Sequence, residues 1–366
     1  MNIIFLPTFH NSKDQLLFMK RNIIGLMSGT SCDGLDIVLC QFDQSSGGYS
    51  SELMAHKFIP YDLSFSESLK NAIHLSSADL HQLHHSYGDY LGLQVNLFVE
   101  ENNLDNVDWV SSHGHTVLHQ PAKGYTFQIG YGGNIKQVCG IPVVCDFRVQ
   151  DVVLGGQGAP LVPVGDQFLY SSYAACVNLG GFSNVSLVKD DQRIAFDISP
   201  FNILMNPLAQ KLGFEFDKGG EIAESGQLNV DLLRQLNEIP YYKNQAPKSL
   251  SLEDVYQYFD PIIGKYSLSV PDLLHTLLCH FVEQLIDVLP AGEVLITGGG
   301  AKNSFFIQLL KERFSGEVII PDERIVDFKE AIVFAFLAYL KLENKINVLA
   351  SVTGASKDHS SGCIFN

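Results

Sequence analysis

The sequence predicts a duplicated α/β fold with two lobes, and three observations support this fold class. Two apolar strands flank a loop of Gly, Ser, Thr and Asp at 23–41, and a second strand–glycine turn–strand pattern follows at 177–187. Strand-like and helical segments alternate after each of these hairpins. A chain of 366 residues is also too long for one ordinary core and fits two. We therefore expect a cleft between two lobes, with one glycine-rich turn from each.

Composition and charge limit the partners of the chain. With 46% hydrophobic and 17% charged residues, it is typical of a folded globular protein. The formal net charge of −16 disfavours binding to nucleic acid or to an acidic membrane surface, and no segment reaches the roughly 18 apolar residues of a membrane span. Seven scattered cysteines favour buried thiols and a cytoplasmic location. Cys32, inside the first loop, is either a reactive thiol or a small packed residue.

The first half alternates helix and strand patterns after its hairpin. Apolar residues at helical spacing predict a helix over 77–99. Its histidines His81, His84 and His85 are expected to form a solvated face. Strands are predicted at 125–129 and 141–148, and residues 108–114 are predicted to form a strand that runs into a turn.

The second half repeats this alternation after its own hairpin. A strand at 293–297 meets the triple glycine 298–300. Helices are predicted at 272–289, from about 303, and at 328–342. The predicted domains are an N-terminal extension at 1–22, a first lobe at 23–150 and a second lobe at 151–349, with 350–366 expected to pack on the first lobe.

Three glycine-rich turns, at 29–34, 180–184 and 298–303, are predicted to hold phosphates. Their backbone N–H groups and hydroxyls can donate to phosphate oxygens. Asp33 and Asp36 can face a phosphate-bound Mg²⁺. One such turn alone could be a β-turn without a ligand, but three in one chain favour a nucleotide site. Because the chain has no Walker loop and no strand-linked G-x-G-x-x-G, that site is expected between two lobes.

Asp197 is the predicted general base. It follows an apolar run and lies just before Pro200, where its carboxylate can take a proton from water or from a sugar hydroxyl. The alternative is that Asp197 caps the apolar segment 203–208.

Arg148 is the predicted cation of the substrate site. It lies with Asp146 and Asp151 at the carboxyl end of the strand at 141–148, where α/β folds bind ligands, and a glycine-rich turn follows at 155–158. Arg148 can bind an anionic substrate group or the transferring phosphoryl group. The alternative is a structural pair with an Asp.

Three histidines at 113–119 superficially suggest zinc. No Cys or carboxylate stands at ligand spacing beside them, which disfavours a metal site. Polar contacts to a sugar are the favoured role for His113, His115 and Thr116.

Taken together, these motifs resemble one family, anhydro-N-acetylmuramic acid kinase, a sugar kinase of the superfamily of actin, hexokinase and heat-shock chaperone ATPases. The matching segments occur in family order from residue 23 to the C-terminus. They are 25–36, 112–116, 127–130, 146–148, Asp151, 155–163, 178–186, 196–197, 225–226, 247–249, 298–303, 330–331 and 353–356.

The resemblance implies an actin-like ATPase fold of the duplicated ribonuclease H-like type, with ATP and a sugar in the cleft between the lobes. It implies that water opens the 1,6-anhydro ring of 1,6-anhydro-N-acetylmuramic acid while O6 takes the γ-phosphoryl group of ATP. The products are N-acetylmuramic acid 6-phosphate and ADP, in the recycling of cell-wall murein. Mg²⁺ is the implied cofactor, and Asp197 is the implied base.

The resemblance and the glycine-rich turns also assign the other site residues. The predicted ATP contacts are Gly29, Thr30, Ser31, Cys32, Asp33, Gly34, Leu35, Asp36, Gly180, Gly181, Ser183, Asn184, Gly298, Gly299, Gly300 and Asn303. The residues implied around the sugar are His113, His115, Thr116, Arg148, Asp151 and Glu330.

The chain departs from the family pattern close to the base. Ser199 and Phe201 replace glycines, which is expected to narrow the space beside Asp197. Asn206 stands in place of an Asp, and Gln150 in place of a basic residue. Two alternatives stay open, a related kinase acting on levoglucosan and a catalytically silent sensor of ATP and sugar. The expected partners are ATP and a small-molecule sugar, and a homodimer is left open.

Overall fold

The computed structural model describes residues 20–29, 31–45 and 47–366. Residues 1–19, which make up most of the predicted extension at 1–22, lie outside this described part, and so does Thr30 of the first predicted phosphate loop. No helix in the described ranges is long and apolar enough to cross a membrane.

The first half of the chain forms a six-stranded sheet with the spatial order β13-β7-β4-β1-β2-β3. Its strands are β1 (Arg21–Met27), β2 (Gly34–Ser45), β3 (Gly48–Pro60), β4 (Trp109–Ser112), β7 (Val143–Cys145) and β13 (Cys363–Phe365). The first three are an antiparallel meander. Strands β4 and β7 continue the sheet in parallel on the other side of β1. The C-terminal strand β13 closes this edge in the antiparallel direction.

The second half forms a five-stranded sheet with the order β10-β9-β8-β11-β12. Its strands are β8 (Ala175–Leu179), β9 (Phe182–Lys189), β10 (Gln192–Pro200), β11 (Glu293–Thr297) and β12 (Glu317–Ile319). Again three antiparallel strands are followed by two parallel strands on the far side of the first. This repeated topology confirms the duplicated α/β fold. A separate hairpin joins β5 (His115–Gln120) to β6 (Tyr125–Ile129).

Helices connect and cover the two sheets. In the first half they are α1 (Leu63–Asn71), α2 (Ser77–Glu101), α3 (Gly132–Cys139), α4 (Val149–Val153) and α5 (Pro163–Phe168). In the second half they are α6 (Asn202–Gln210), α7 (Glu221–Glu224), α8 (Val230–Asn237), α9 (Leu252–Asp254), α10 (Asp260–Ile263), α11 (Val270–Ile286), α12 (Ser304–Arg313), α13 (Glu323–Leu342) and α14 (Ala350–Thr353). The predicted helices at 77–99, 272–289 and 328–342 are confirmed as α2, α11 and α13.

Helix α13 crosses from the cleft onto the first sheet. Every residue from Ala331 to Leu340 is buried, in a cluster that contains β1 and β2 side chains. The helix lies so close to β1 that a Cβ at Gly25 would stand 2.3 Å from the carbonyl oxygen of Ala331, so only glycine fits there. Although α13 belongs to the range predicted as the second lobe, it packs on the sheet of the first. The domain boundaries therefore stay a prediction.

Candidate active site

Three polar side chains form a row across adjacent strands of the second sheet. Asn178 on β8 lies directly opposite Asn184 on β9, and Asn184 lies directly opposite Asp197 on β10. Directly opposed residues point to the same face of a sheet. The row therefore places two amides and one carboxylate side by side on one face.

A cavity of about 220 Å³ brings together Asp36 of the first hairpin and residues of the second and third predicted phosphate turns. Asp36 of the first hairpin, Asn178 and Asn184 of the second, and Gly299 line it. Residues from the N-terminal half of α13, including Glu330, line the opposite wall. The expected convergence of the hairpins on one cleft is thus seen in the structure, and the cavity has the mixed amide and carboxylate lining that a nucleotide–metal complex needs.

The first hairpin presents Asp36 to this cavity. Burial raises the pKa of Asp36 to about 7, and the nearby carboxylates of Asp33, Glu330 and Asp327 add to the shift. Asp33 itself is exposed, and its Oδ1 accepts a hydrogen bond of 2.6 Å from Ser31. A carboxylate crowded by other carboxylates gains from a bound cation, so Asp36 fits a Mg²⁺ ion.

The donor set also says how such an ion would be held. Among the residues that the structure describes, no group of three or more His, Cys, Asp or Glu side chains could enclose a metal. Mg²⁺ commonly binds through one or two carboxylates together with phosphate oxygens and water. Asp36 is therefore a candidate first ligand for a metal that arrives with its nucleotide, and the exposed Asp33 precedes it by three residues.

The second and third turns are shaped by close backbone contacts. The carbonyl oxygen of Gly181 accepts hydrogen bonds from the backbone N–H groups of Phe201, at 2.7 Å, and Ile203, at 3.1 Å, which ties the turn to the start of α6. Gly298 adopts a φ of 83°, and a Cβ there would stand 2.6 Å from Asn178 Oδ1. A Cβ at Gly299 would meet no atom within 4 Å, because this glycine faces the open cavity.

The side chains of two predicted ATP contacts form hydrogen bonds to the protein itself. Ser183 is buried and donates to the carbonyl oxygen of Ser199 at 3.0 Å. Asn303 caps α12, where its Oδ1 accepts from the N–H of Phe306 at 2.9 Å. Asn303 also lines a second cavity of about 490 Å³ beside Gly299. Their assignment to ATP stays a prediction.

Asp197 lies in a smaller cavity of about 110 Å³, next to the cavity of about 220 Å³ that Asp36 lines. We call the larger one the candidate nucleotide cavity. Its Oδ2 accepts a hydrogen bond of 2.9 Å from the N–H of Leu250, and its carbonyl oxygen accepts one of 2.6 Å from Tyr241. Burial raises the pKa of Asp197, and the Leu250 N–H partly opposes the shift. The Leu250 contact orients the carboxylate and leaves Oδ1 for a substrate, as a general base requires, while the Tyr241 contact fixes the backbone of Asp197. The alternative that Asp197 caps α6 is wrong, because Phe201 occupies that position.

Arg148 and His113 form a linked pair on the side of the first sheet. Arg148 Nε donates to His113 Nε2 at 3.0 Å, and its Nη1 donates to the carbonyl oxygen of Gly158 at 2.6 Å. Burial lowers the pKa of Arg148 to about 10, while the carboxylates of Glu330 and Asp151 oppose the shift. The guanidinium stays charged at neutral pH. Because His113 accepts from Arg148, and because burial holds its pKa well below the usual range, its ring is neutral.

The neighbouring histidine and threonine contact protein atoms. His115 Nδ1 lies 3.2 Å from Ser28 Oγ, and its Nε2 lies 3.7 Å from Cys32 Sγ. Burial lowers the pKa of His115. Thr116 Oγ1 accepts from Gln128 at 3.3 Å. His115 thus connects the first phosphate loop to β5, and a sugar contact for His115 or Thr116 stays a prediction.

Asp151 is fully buried, with both carboxylate oxygens engaged. Oδ2 accepts from the N–H of Gly158 at 2.6 Å, and Oδ1 accepts from the hydroxyl of Thr353 at 2.7 Å. A Cβ at Gly156 would stand 2.2 Å from Asp151 Oδ2. These contacts show Asp151 fixing the turn at 155–158, whose Gly158 carbonyl in turn holds Arg148. Its sugar contact stays a prediction.

The substitutions near the base do not narrow the cavity. Ser199 and Phe201 have no exposed surface. The Phe201 ring packs on Phe281 and Phe306, with ring centroids at 5.2 and 4.9 Å, and it fills the space where a Cβ at Gly300 would lie. The expectation that these residues crowd Asp197 is wrong, because both side chains point into the core of the second half.

The predicted solvated face of α2 is also partly wrong. His81 is exposed, but His84 is half-buried, with its ring 5.1 Å from the Phe127 ring. Burial lowers the pKa of His84 to about 4, and His85 and His81 add to the shift. The error arises because the β5–β6 hairpin covers one side of α2, which the helical period alone cannot show.

Sequence reasoning missed a buried ion pair beneath the cleft. Lys329 Nζ lies 2.7 Å from Asp166 Oδ1, and both side chains are almost completely buried. Lys329 lines both the candidate nucleotide cavity and the Asp197 cavity. Lys248, half-buried over the ring of Tyr241 at 4.5 Å, also lines the Asp197 cavity. The one available signal was that Lys329 directly precedes the predicted site residue Glu330.

A duplicated α/β fold with a strand–glycine turn–strand hairpin in each half and a carboxylate beside their shared cavity is that of the actin-like ATP-dependent sugar kinases. The chain belongs to the anhydro-N-acetylmuramic acid kinase family, whose sequence profile it matches over residues 21–366.

Curated relatives agree with this family. The anhydro-N-acetylmuramic acid kinase of Francisella tularensis subsp. novicida is 33% identical, over 91% of this chain and 95% of its own length. The enzymes of the same name from Hydrogenovibrio crunogenus and a Shewanella species are 34% and 36% identical, over 94% of this chain and 97% and 98% of their lengths. Among solved structures, component A of (R)-2-hydroxyglutaryl-CoA dehydratase from Acidaminococcus fermentans is 12% identical, with a TM-score of 0.47 over 88% of this chain and 99% of that one.

Proposed function

We propose that this protein is an ATP-dependent kinase of 1,6-anhydro-N-acetylmuramic acid. It opens the 1,6-anhydro ring with water and transfers the γ-phosphoryl group of ATP to O6, which yields N-acetylmuramic acid 6-phosphate and ADP. Family membership over nearly the whole chain supports the substrate. The cavities support the chemistry.

One observation carries the proposal. The 220 Å³ cavity, lined by residues of both hairpins and of the triple glycine, and the cavity of Asp197 share four wall residues, Val162, Asn178, Asn184 and Lys329. A nucleotide in the first would therefore place its terminal phosphate beside a sugar in the second. Phosphoryl transfer depends mainly on such positioning and on stabilisation of charge.

Asp197 is proposed to remove a proton from the water that attacks C1 of the anhydrosugar. The C1–O6 bond then breaks, and O6, as it leaves C1, attacks the γ-phosphorus of ATP. The N–H of Leu250 orients the carboxylate through Oδ2, so Oδ1 can accept the proton. Burial raises the pKa of Asp197, which makes its carboxylate a better proton acceptor.

Mg²⁺ would neutralise charge on the ATP phosphates when bound. Asp36 is the proposed ligand from the protein, with Asp33 on the solvent side. Arg148, held by His113 and Gly158, is proposed to face the anionic lactyl group of the sugar. Glu330, on the solvent-accessible wall of the candidate nucleotide cavity, is proposed to bind the sugar across from Asp197.

The proposal is tested by incubating the protein with ATP, Mg²⁺ and 1,6-anhydro-N-acetylmuramic acid in water enriched in ¹⁸O. We expect ADP release in step with a 6-phosphosugar whose mass has increased by one phosphoryl group and one labelled water. Label at C1 would show that water opens the ring.

Levoglucosan, which lacks the N-acetyl and lactyl groups, is the matched control substrate. Efficient turnover of levoglucosan with none of the muramic sugar would overturn the proposed substrate. ADP release without any phosphosugar would overturn the kinase assignment.

We further propose that the enzyme acts in the cytoplasm, where its substrate ATP is available. A homodimer stays a prediction.

A further inference from the structure

A cluster of buried charged side chains lies behind the wall shared by the two cavities. It consists of Lys329 on α13, Asp166 on α5 and Arg193 on β10, with exposed fractions of 6%, 3% and 5%. Lys329 Nζ contacts Asp166 Oδ1 at 2.7 Å, and Arg193 Nη2 donates to the carbonyl oxygen of Asp166 at 3.3 Å. Hereafter these three residues are the cationic cluster.

The cationic cluster carries an uncompensated positive charge. Two cations face one carboxylate, and no carboxylate within the described ranges forms an ion pair with Arg193. The Nε of Arg193 is buried and lacks a hydrogen-bond acceptor. Glu330 follows Lys329 in the chain, but its carboxylate is attracted more strongly to Arg148 than to Lys329. Buried charge without a partner is costly, so the cluster favours an approaching anion.

Lys329 connects this charge to the cleft. Of the four residues shared by the candidate nucleotide cavity and the Asp197 cavity, only Lys329 is charged. Its ammonium is protonated at neutral pH, because the pull of Asp166 and its neighbours on the pKa outweighs the effect of burial. The only anion that must pass from one cavity to the other during the proposed reaction is the γ-phosphoryl group.

We propose that Lys329 binds the γ-phosphoryl group of ATP during transfer, and that Asp166 positions its ammonium. This inference rests on the proposed kinase function. The cation offsets charge that develops on the phosphoryl oxygens at the junction of the cavities. In a protein of net charge −16, a local cation at this point is also needed to hold the triphosphate against the overall field.

The test compares Lys329→Met with Lys341→Met, which makes the same change about three turns further along α13, where Lys341 donates to the Ser360 carbonyl. We expect Lys329→Met to lower kcat by about 100-fold, the scale for removing one group that stabilises transition-state charge. It should weaken binding of a nonhydrolysable ATP analogue about tenfold or more while leaving ADP affinity within about twofold. Lys341→Met should match the wild type in all three.

The double variant Asp166→Leu/Lys329→Met separates binding from folding, because it replaces both members of the buried ion pair with apolar groups, while Arg193 keeps its hydrogen bond to the backbone carbonyl at position 166. We expect the double variant to unfold near the wild-type temperature and to stay as inactive as Lys329→Met. Recovered activity in the stable double variant would overturn the proposal, since the pair would then be structural only. Equal losses of ATP and ADP affinity would overturn it as well.

These outcomes are distinct from failure of the proposed function. The nucleotide titrations need no sugar, so the preference for ATP over ADP tests Lys329 even if the wild type phosphorylates a different sugar. Failure of the wild type to phosphorylate the anhydrosugar, with a normal ATP preference that Lys329→Met abolishes, would reject the sugar and keep the role of Lys329.

Discussion

The two hairpins of the cleft share a strand–turn–strand pattern, but they present opposite chemistry. The first places Asp36 against the cavity among other carboxylates, and burial with this crowding raises its pKa to about 7. The second places the neutral amides of Asn178 and Asn184 there, beside Lys329. One wall is therefore suited to a metal cation, and the other is suited to the phosphate oxygens themselves.

The two turns also differ in how they are held. Gly180 and Gly181 accept backbone hydrogen bonds from Phe201, Asn202 and Ile203 at the start of α6. In the first turn, Ser31 and Asp33 are exposed and hydrogen-bond to each other. The backbone of the first turn is held as well, since Ser66 and Tyr61 donate to the carbonyl oxygens of Cys32 and Asp33, but its exposed side chains leave room for a hydrated metal. The two hairpins therefore share one backbone pattern and differ in the side chains that they present to the cavity.

The largest effect on kcat is expected from Asp197, which belongs to the second half of the chain. Asp197→Asn should keep the acceptor for the Leu250 N–H and the binding of ATP and sugar, but it should lower kcat by about 10³-fold because an amide cannot take a proton. Steady-state kinetics with parallel calorimetric titrations of both ligands measure this. If the variant keeps more than about a tenth of the wild-type rate, Asp197 is not the base, and Asp146 is the next carboxylate to change.

Arg148 is the proposed cation for the anionic group of the sugar, and the effect of replacing it should depend on the sugar. Arg148→Ala should lower kcat/KM for the muramic sugar by about 2–4 kcal/mol, the range for removing one partner of a buried charge pair. The loss with levoglucosan, which has no carboxylate, should be much smaller. Gln150→Ala, an exposed neighbour, should change neither value. Equal losses with both sugars would assign Arg148 to the phosphoryl group instead.

The anionic character of the first wall predicts a pH effect on metal–nucleotide binding. Asp36, with a pKa of about 7, is mostly protonated below that value, and a protonated carboxyl is a poor Mg²⁺ ligand. The Kd for Mg·ATP should therefore rise about tenfold as the pH falls from about 8 to about 6. Asp36→Asn should bind more weakly at the higher pH and lose this dependence. An unchanged pH profile in the variant would place the metal elsewhere.

The smallest effect is expected from Phe201, whose backbone N–H donates to Gly181 in the second turn. Phe201→Leu keeps the backbone donors and shrinks only a buried ring, so it should lower the free energy of unfolding by about 1 kcal/mol. Urea unfolding measures this loss. The KM for the sugar should stay within about twofold, and a tenfold change would mean that Phe201 borders the substrate after all.

The sequence by itself determined the duplicated fold and the parts of the cleft. Strand alternation, helical spacing and glycine turns are local patterns, and each is decided by a few neighbouring residues. The hairpins, the triple glycine, Asp36 and Asp197 could therefore be predicted from short stretches, and the structure brings residues of both hairpins and of the triple glycine to one cavity. The phosphate role of the turns stays a prediction.

Only the tertiary structure decided which side chains face the cleft and which are buried or hydrogen-bonded within the protein. Phe201 was expected beside the base, but it packs into the core, and Asp151 was expected at the sugar, but Gly158 and Thr353 occupy its oxygens. The cationic cluster joins α5, β10 and α13, which are far apart in the chain. Burial and ion pairing depend on which faces meet after folding, and local spacing carries no record of that.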